Sequence, residues 1–331
     1  MLNSLKIRLP GRFNILRTFN MDEIIDLTWA KYDNRRSETK KHEKSKEILG
    51  MKKFTALAMA LLMLVAVLTG CASNTANQEI TVVSREEGSG TRSAFIELTG
   101  IEVDDVDQTT VDAEISNSTA VVMQTVAGNT AAIGYISLGS LDDSIKAVTV
   151  DGVEASVDNI LSGTYPISRP FNVATLGELT NEAAQDFLNY IMSDEGQAII
   201  TENGYVSTSS TGAFTSTNPS GTVTLAGSSS VSPIMEKLAE AYMALNSNVT
   251  VQIQTSDSST GMTSAIDGLC DIGMASRAVS DSELAEGLVS TTICMDGIAV
   301  VVNLENEVTN LTLEQIRQIF VGEITNWGDI A

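Results

Sequence analysis

The chain has 331 residues, of which 42 are acidic and 20 basic, for a formal charge of −22 with 43% apolar residues. That length and composition suit a globular protein of two domains, each with a core of its own. The charge excludes nucleic acid as a partner, because neutralising phosphodiesters takes a basic face that this chain lacks.

The charge is unevenly spread. Residues 1–50 hold 11 of the 20 bases and only seven of the 42 acids. They are either an upstream stretch set by start assignment, with Met51 the true start, or a basic cytoplasmic extension; the first reading is favoured. Met51-Lys52-Lys53 then opens an apolar run over residues 54–68. The run is short for a membrane span and has the basic start, apolar middle and small-residue exit of a secretory signal, so residues 51–70 are expected to be a signal peptide. The exit, Leu68-Thr69-Gly70-Cys71, resembles the lipobox of bacterial lipoproteins. That resemblance makes Cys71 the lipidated first residue of an exported, membrane-anchored protein, with residues 71–78 as a polar tether.

From Cys71 onward the chain keeps seven bases against 35 acids, a charge of −28, and no histidine, since His42 is the only one. Ser-His-Asp and Cys-His centres and imidazole metal sites are thereby excluded. Neither Lys146 nor Lys237 has a serine three residues upstream, which removes the Ser-x-x-Lys pattern as well. The acids show no spaced constellation and read as a solvated surface. Cys270 and Cys294 lie beside strand-like segments in an exported chain, as a disulfide or as two buried thiols; spacing alone leaves both open.

Beyond the tether, strand-like and helix-like segments alternate, which predicts an α/β fold. One pattern occurs three times: a β-branched apolar run, a small Ser/Gly/Thr cluster, then an amphipathic helix. It appears as Ile80-Thr81-Val82-Val83-Ser84 with Gly88-Ser89-Gly90-Thr91, as Thr222-Val223-Thr224-Leu225-Ala226 with Gly227-Ser228-Ser229-Ser230, and as residues 249–254 with Ser258-Ser259-Thr260-Gly261. Pro233 suits the first turn of the second helix, whose Ile234, Leu238 and Tyr242 are four apart. A small-residue turn at a helix N-terminus presents amides and hydroxyls to an oxyanion at the positive end of the dipole. Each turn alone is more often an ordinary cap. Three at the carboxyl ends of strands in one α/β chain mark the edge where ligands bind. A nucleotide loop is excluded at Gly88-Ser89-Gly90-Thr91-Arg92, which lacks the Gly-Lys-Ser/Thr ending. Residues 207–221, rich in Ser, Thr, Gly, Pro and Asn, predict a flexible linker.

These residues carry a family resemblance. Ala226-Gly227-Ser228-Ser229-Ser230-Val231-Ser232-Pro233, Asp271-Ile272-Gly273-Met274-Ala275-Ser276-Arg277, Asp296-Gly297-Ile298-Ala299-Val300, Asn326-Trp327 and Val83-Ser84-Arg85-Glu86-Glu87-Gly88-Ser89-Gly90-Thr91-Arg92 resemble the substrate-binding lipoprotein of the bacterial phosphate ABC importer. The resemblance runs through most of residues 79–331 and implies a two-lobed type II periplasmic-binding-protein fold. The order differs from the family's, in which the Gly-Ser-Ser-Ser turn comes first and the Arg-x-x-x-Ser-Gly-Thr loop follows Asn-Trp. That implies a circular permutation with the old ends joined by residues 207–221, whose flexible span is roughly 20 Å; a piece of a tandem array is the alternative. The permutation implies a split lobe, residues 79–144 plus 301–331, and a continuous lobe, residues 145–300.

Carried onto this sequence, the family's phosphate ligands fall on Arg85, Ser89, Gly90 and Thr91 from one lobe and on Ser229, Ser230, Ser258 and Ser276 from the other. Arg85 is then the one formal positive charge of the site, with Glu87 as the residue expected to orient it. Family members place an aspartate where this chain has Ser276, so discrimination by a repelling carboxylate is in question and sulfate, molybdate and tungstate stay open as ligands. The implied activity is capture of inorganic phosphate by a monomeric, lipid-anchored receptor that passes it to an ABC permease and ATPase complex, with no catalysis and no cofactor. Hinges are expected near residues 165–171 and 296–303. A phosphate-ester hydrolase and a sensor or adhesion module on the same fold remain alternatives.

Overall fold

The computed structural model describes residues 78–330, together with two short antiparallel strands, Ser4–Lys6 and Thr18–Asn20. The signal peptide, Cys71 and nearly all of the tether lie outside the described residues. Among the described residues no helix is long and apolar enough to cross a membrane.

The β/small-turn/α pattern folds as the sequence predicts. Strand β1 (Thr81–Arg85) leads into helix α1 (Gly90–Leu98), whose cap Ser89 accepts from Arg92 N at 3.3 Å. Strand β2 (Glu114–Ser116) leads into α2 (Thr119–Gly128), capped by Ser118, and β3 (Ala132–Ser137) follows, buried along its whole length. After β4 (Ser168–Leu176) come α3 (Glu182–Ile191) and α4 (Asp194–Glu202). Strand β5 (Gly221–Ser228) leads into α5 (Ser232–Leu245), with Pro233 in its first turn and Ile234, Leu238 and Tyr242 buried. Strand β6 (Val249–Ser256) leads into α6 (Ser258–Ile266), capped by Asp257, and β7 (Ile272–Ala275) follows. The 15-residue β8 (Leu288–Val302) and α7 (Leu313–Phe320) complete the main elements.

One sheet carries these strands in the order β6-β5-β7-β4-β8-β3-β1-β2. Its two ends are parallel: β5 pairs β6 and β7, and β1 pairs β2 and β3. The middle is antiparallel, and β8 spans it. Its first part, through Gly297, pairs β4, and Ile298–Val302 pairs β3. Two hydrophobic cores form on either side of this change of partner. One contains Phe95, Tyr135, Ile298–Val302 and Phe320; the other contains Phe171, Phe187, Leu225, Tyr242 and Ile293. The chain passes between them near residue 168, at Tyr205/Val206 and at Gly297/Ile298.

Three expectations change here. Ile145, Val148, Val150, Ile160, Tyr165, Ile167 and Val206 pack in the first core, beyond the boundary expected at residue 144. Cys270 and Cys294 are free thiols, the first half-buried and the second buried, so the disulfide does not form. Cys294 faces the second core, while Cys270 packs against a smaller cluster around Met262 and Ala275.

Residues 207–221 are pinned to the second lobe rather than flexible. Asp186 accepts from Ser216 Oγ at 2.7 Å, Thr217 N at 2.8 Å and Tyr242 Oη at 2.9 Å. Phe214 stacks edgewise on Tyr190, ring centroids 5.0 Å apart. Composition reported the lack of regular structure correctly but carried no sign of these long-range bonds.

Candidate functional site

Four strand-to-helix turns converge between the lobes, one more than the sequence pattern singled out. The extra one is Ser116-Asn117-Ser118-Thr119, between β2 and α2. Its Thr119 joins a chain of buried hydroxyls that runs back and forth across the cleft and ends on two residues of the second lobe. Thr119 Oγ1 lies 3.1 Å from Ser230 Oγ, which lies 2.8 Å from Thr91 Oγ1. Thr91 Oγ1 is 3.4 Å from Ser276 Oγ, and that is 3.3 Å from Ser258 Oγ. None of these five residues is more than 4% exposed.

Close approach of the turns depends on glycine at two points. A side chain at Gly90 would collide with Ser258 Oγ and lie 2.9 Å from Ser276 Oγ. Gly227, at φ 132°, lets β5 enter the serine turn in a backbone region that side chains disfavour, and a Cβ there would meet Met274 N at 3.0 Å. The lobes also touch through the main chain, Ser259 N donating to Gly88 O at 3.1 Å.

Two buried guanidinium groups flank the hydroxyls. Arg85, at the end of β1, donates to Ser229 Oγ at 3.1 Å and to Thr119 Oγ1 at 3.4 Å. Its Nε–Nη2 edge is clamped by Glu86, Nε at 2.8 Å and Nη2 at 2.7 Å, so Nη2 is shared between Glu86 and Ser229, while Glu87 is exposed. Glu86 therefore takes the orienting position expected of Glu87. Arg169, on β4, donates through Nη1 to Thr91 Oγ1 at 2.8 Å and to Ser276 O at 2.6 Å. Its Nη2 meets Asp296 Oδ2 on β8 at 3.1 Å. Arg85 is thus one of two positive charges at the site, not the one expected. Burial pushes the Arg169 guanidinium below its usual range although Asp296 opposes this. Burial likewise pushes the Asp296 carboxyl up, with Arg169 pulling it back.

Of the residues singled out from sequence, Arg85, Thr91, Ser229, Ser230, Ser258 and Ser276 come together, with Gly90 packed against the last two. Ser89 does not bond to this group; its hydroxyl caps α1. Several turn amides are also engaged by the protein itself: Ser89 N donates to Glu86 O and Ser230 N to Ser228 Oγ within their own turns, and Ser229 N donates to Ser256 O at the end of β6. The hydroxyls, which donate or accept as they rotate, are therefore the adaptable part of the site. Among the described residues no group of three His, Cys, Asp or Glu side chains could hold a metal ion.

Such a meeting of two lobes, lined by rotatable hydroxyls and two guanidinium groups, suits a small compact oxyanion. A family model described as a PBP superfamily domain matches residues 58–195 and 212–330. The chain is 48% identical over 288 residues to phosphate-binding protein PstS 2 of Streptococcus agalactiae serotype V, covering 85% of this chain and 98% of the relative. It is 43% identical over 267 residues to PstS 2 of Streptococcus pneumoniae serotype 4, covering 79% of this chain and 91% of the relative. The crystal structure of a phosphate-binding protein of a phosphate ABC transporter from S. pneumoniae is 44% identical and matches 77% of this chain and 100% of its own, with a TM-score of 0.61. The chain belongs to the PBP superfamily, in the family of these phosphate-binding proteins.

Proposed function

We propose that the chain is an extracytoplasmic receptor that captures inorganic phosphate between its two lobes and hands it to an ABC permease. The observation that carries this reading is the hydroxyl chain Thr119–Ser230–Thr91–Ser276–Ser258, built from both lobes and flanked by Arg85 and Arg169. Ligands drawn from both lobes make binding and hinge closure one event. Arg85 presents a guanidinium fork held in place before the anion arrives, and the hydroxyls turn their protons towards it. The names of the streptococcal relatives support phosphate as the ligand. In this reading the protein is a monomer, anchored through lipid on Cys71 at the outer face of the cytoplasmic membrane.

No catalysis is involved. The carboxylates of Glu86 and Asp296 are each engaged by an arginine, and that of Asp257 caps α6, which supports binding over ester hydrolysis. The permuted order of segments belongs to the same proposal. Trp327 N donates to Gln78 O at 3.1 Å and Glu79 bridges Asn326, so the two places the family joins directly lie side by side. A variant with residue 330 linked to residue 78 and the chain opened within residues 207–221 should bind phosphate like the parent protein.

Calorimetric titration of the wild-type protein and Arg85→Ala with phosphate, sulfate and molybdate tests the main reading. Phosphate should bind in preference, and the variant should lose about a hundredfold or more, the scale of a buried charge-assisted contact. Sulfate bound as tightly as phosphate, or undiminished affinity in the variant, would sink it.

A further inference from the structure

Arg169 stands out from the other site residues because it belongs to a crossing strand rather than to a turn. It sits on β4 two residues beyond Ile167, the last residue of that segment in the first core, and pairs in register with Asp296 on β8. One guanidinium nitrogen, Nη1, donates to Thr91 Oγ1 in the first lobe at 2.8 Å and to Ser276 O in the second at 2.6 Å. The other, Nη2, is held by Asp296 at 3.1 Å. A single side chain on the hinge therefore bonds a group of each lobe at the site itself.

The arrangement is poor as a stabilising device. Arg169 is 2% and Asp296 1% exposed, and an ion pair this deep repays its desolvation only when the remaining polar atoms are also bonded. Here they are bonded loosely at best. Arg169 Nε has no partner, and Asp296 Oδ1, Ser137 Oγ and Tyr205 Oη lie near one another and near Gly139 N without well-formed hydrogen bonds. Tyr205 packs against Gly139, two residues from Ser137 at the end of β3, so these groups surround the crossing. A buried pair supported this loosely adds little to stability.

We propose that Arg169 is a positioning residue that couples anion capture to lobe closure, with Asp296 fixing its fork so that Thr91 and Ser276 are drawn together only when the lobes shut. The proposal rests on the phosphate-capture reading above. In the closed form the guanidinium ties hinge, first lobe and second lobe into a single bonded unit. It also orients the Thr91 hydroxyl, whose oxygen accepts from Arg169 and so leaves its proton for an anion oxygen.

The test uses full-length exported sequence from Cys71 with donor and acceptor dyes on exposed positions of each lobe, read with and without inorganic phosphate. Wild-type protein should close on phosphate. Arg169→Lys keeps the charge but loses the fork; it should bind at least tenfold more weakly and stay more open at saturating phosphate. Asp296→Asn should shift both readouts in the same direction by less, and it decides the matter if Arg169→Lys does not fold. Closure and affinity both unchanged in Arg169→Lys and Asp296→Asn would overturn the proposal. Weakened binding with full closure would also overturn it, since Arg169 would then be a simple ligand. Failure of wild-type protein to bind phosphate would instead overturn the capture reading, a result distinguishable from either.

Discussion

Glu86 grips Arg85 along the Nε–Nη2 edge of the guanidinium, with both carboxylate oxygens engaged at 2.7 and 2.8 Å, while Nη2 also donates to Ser229 Oγ at 3.1 Å. The clamp has two opposing effects on an anion. It repels the ligand, and it spares the arginine the loss of rotamer freedom on binding, worth up to about 2 kcal/mol. Glu86 is 21% exposed, so solvent screens the repulsion, and orientation should win. Glu86→Ala is expected to weaken phosphate binding about tenfold, and Glu87→Ala to change it less than twofold. Calorimetry on the pair checks this, and tighter binding by Glu86→Ala would show that repulsion dominates.

Gly90 offers a way to separate closure from stability. Its φ is not in the left-handed region, and alanine is the better helix former by about 1 kcal/mol. Yet a methyl group there would run into Ser258 and Ser276 across the cleft. Gly90→Ala should leave thermal unfolding without phosphate unchanged or slightly raised, while cutting phosphate affinity at least tenfold. A variant that binds normally would mean that the two turns stand further apart in the bound form than they do here.

Much of this site was legible because its turns are local. Strand, small cluster and helix N-terminus follow one another within about ten residues, so Thr91, Ser230 and Ser258 announce themselves in sequence. Thr119 carried the same signal, but β2 before it is only three residues long and offers too little periodicity to flag. Arg169 carried none. Its partners Thr91, Ser276 and Asp296 lie 78, 107 and 127 residues away, and only the sheet register brings β4 beside β8. The same limit applies to residues 207–221, where Asp186 and Tyr242 supply the order from outside the segment. For Glu86 and Glu87 the residue type was right and the position off by one, a choice made by which side of the loop faces the guanidinium.

Tyrosine ionisation should report on folding. Burial pushes the Tyr135 phenol up to about 12, only partly offset by its bonds to Ser84 Oγ and Arg85 N. In an unfolded chain a tyrosine ionises near 10. Below about pH 10 both states keep the proton and the folded state has its full stability. From about 10 to 12 the unfolded chain alone gives protons up, so stability falls, by roughly 3 kcal/mol for this residue at the upper end. Tyr165, Tyr190, Tyr205 and Tyr242 are shifted in the same direction, with burial the largest cause in each. Absorbance of tyrosinate should therefore rise together with loss of far-ultraviolet circular dichroism. Phenols of the described domain titrating near pH 10 in a protein whose dichroism is intact would contradict this packing.

The acidic surface bears on how fast an anion arrives rather than on whether it is held. From Cys71 onward the chain carries −28, and a phosphate approaching from bulk solvent meets that field before it meets Arg85. Inside, the contacts are hydrogen bonds of about 3 Å in a space closed to solvent, where ionic screening has little effect. Outside, the field reaches about 30 Å at 0.01 M salt and about 8 Å at 0.15 M. Raising an inert salt over that range should therefore speed association several-fold and leave dissociation nearly unchanged, so that affinity improves with salt. Stopped-flow measurement of phosphate capture by tryptophan or dye fluorescence at several ionic strengths separates the two rates. Association that slows as salt is added would mean that Arg85 and Arg169 project a positive field out of the cleft strong enough to overcome the acidic shell.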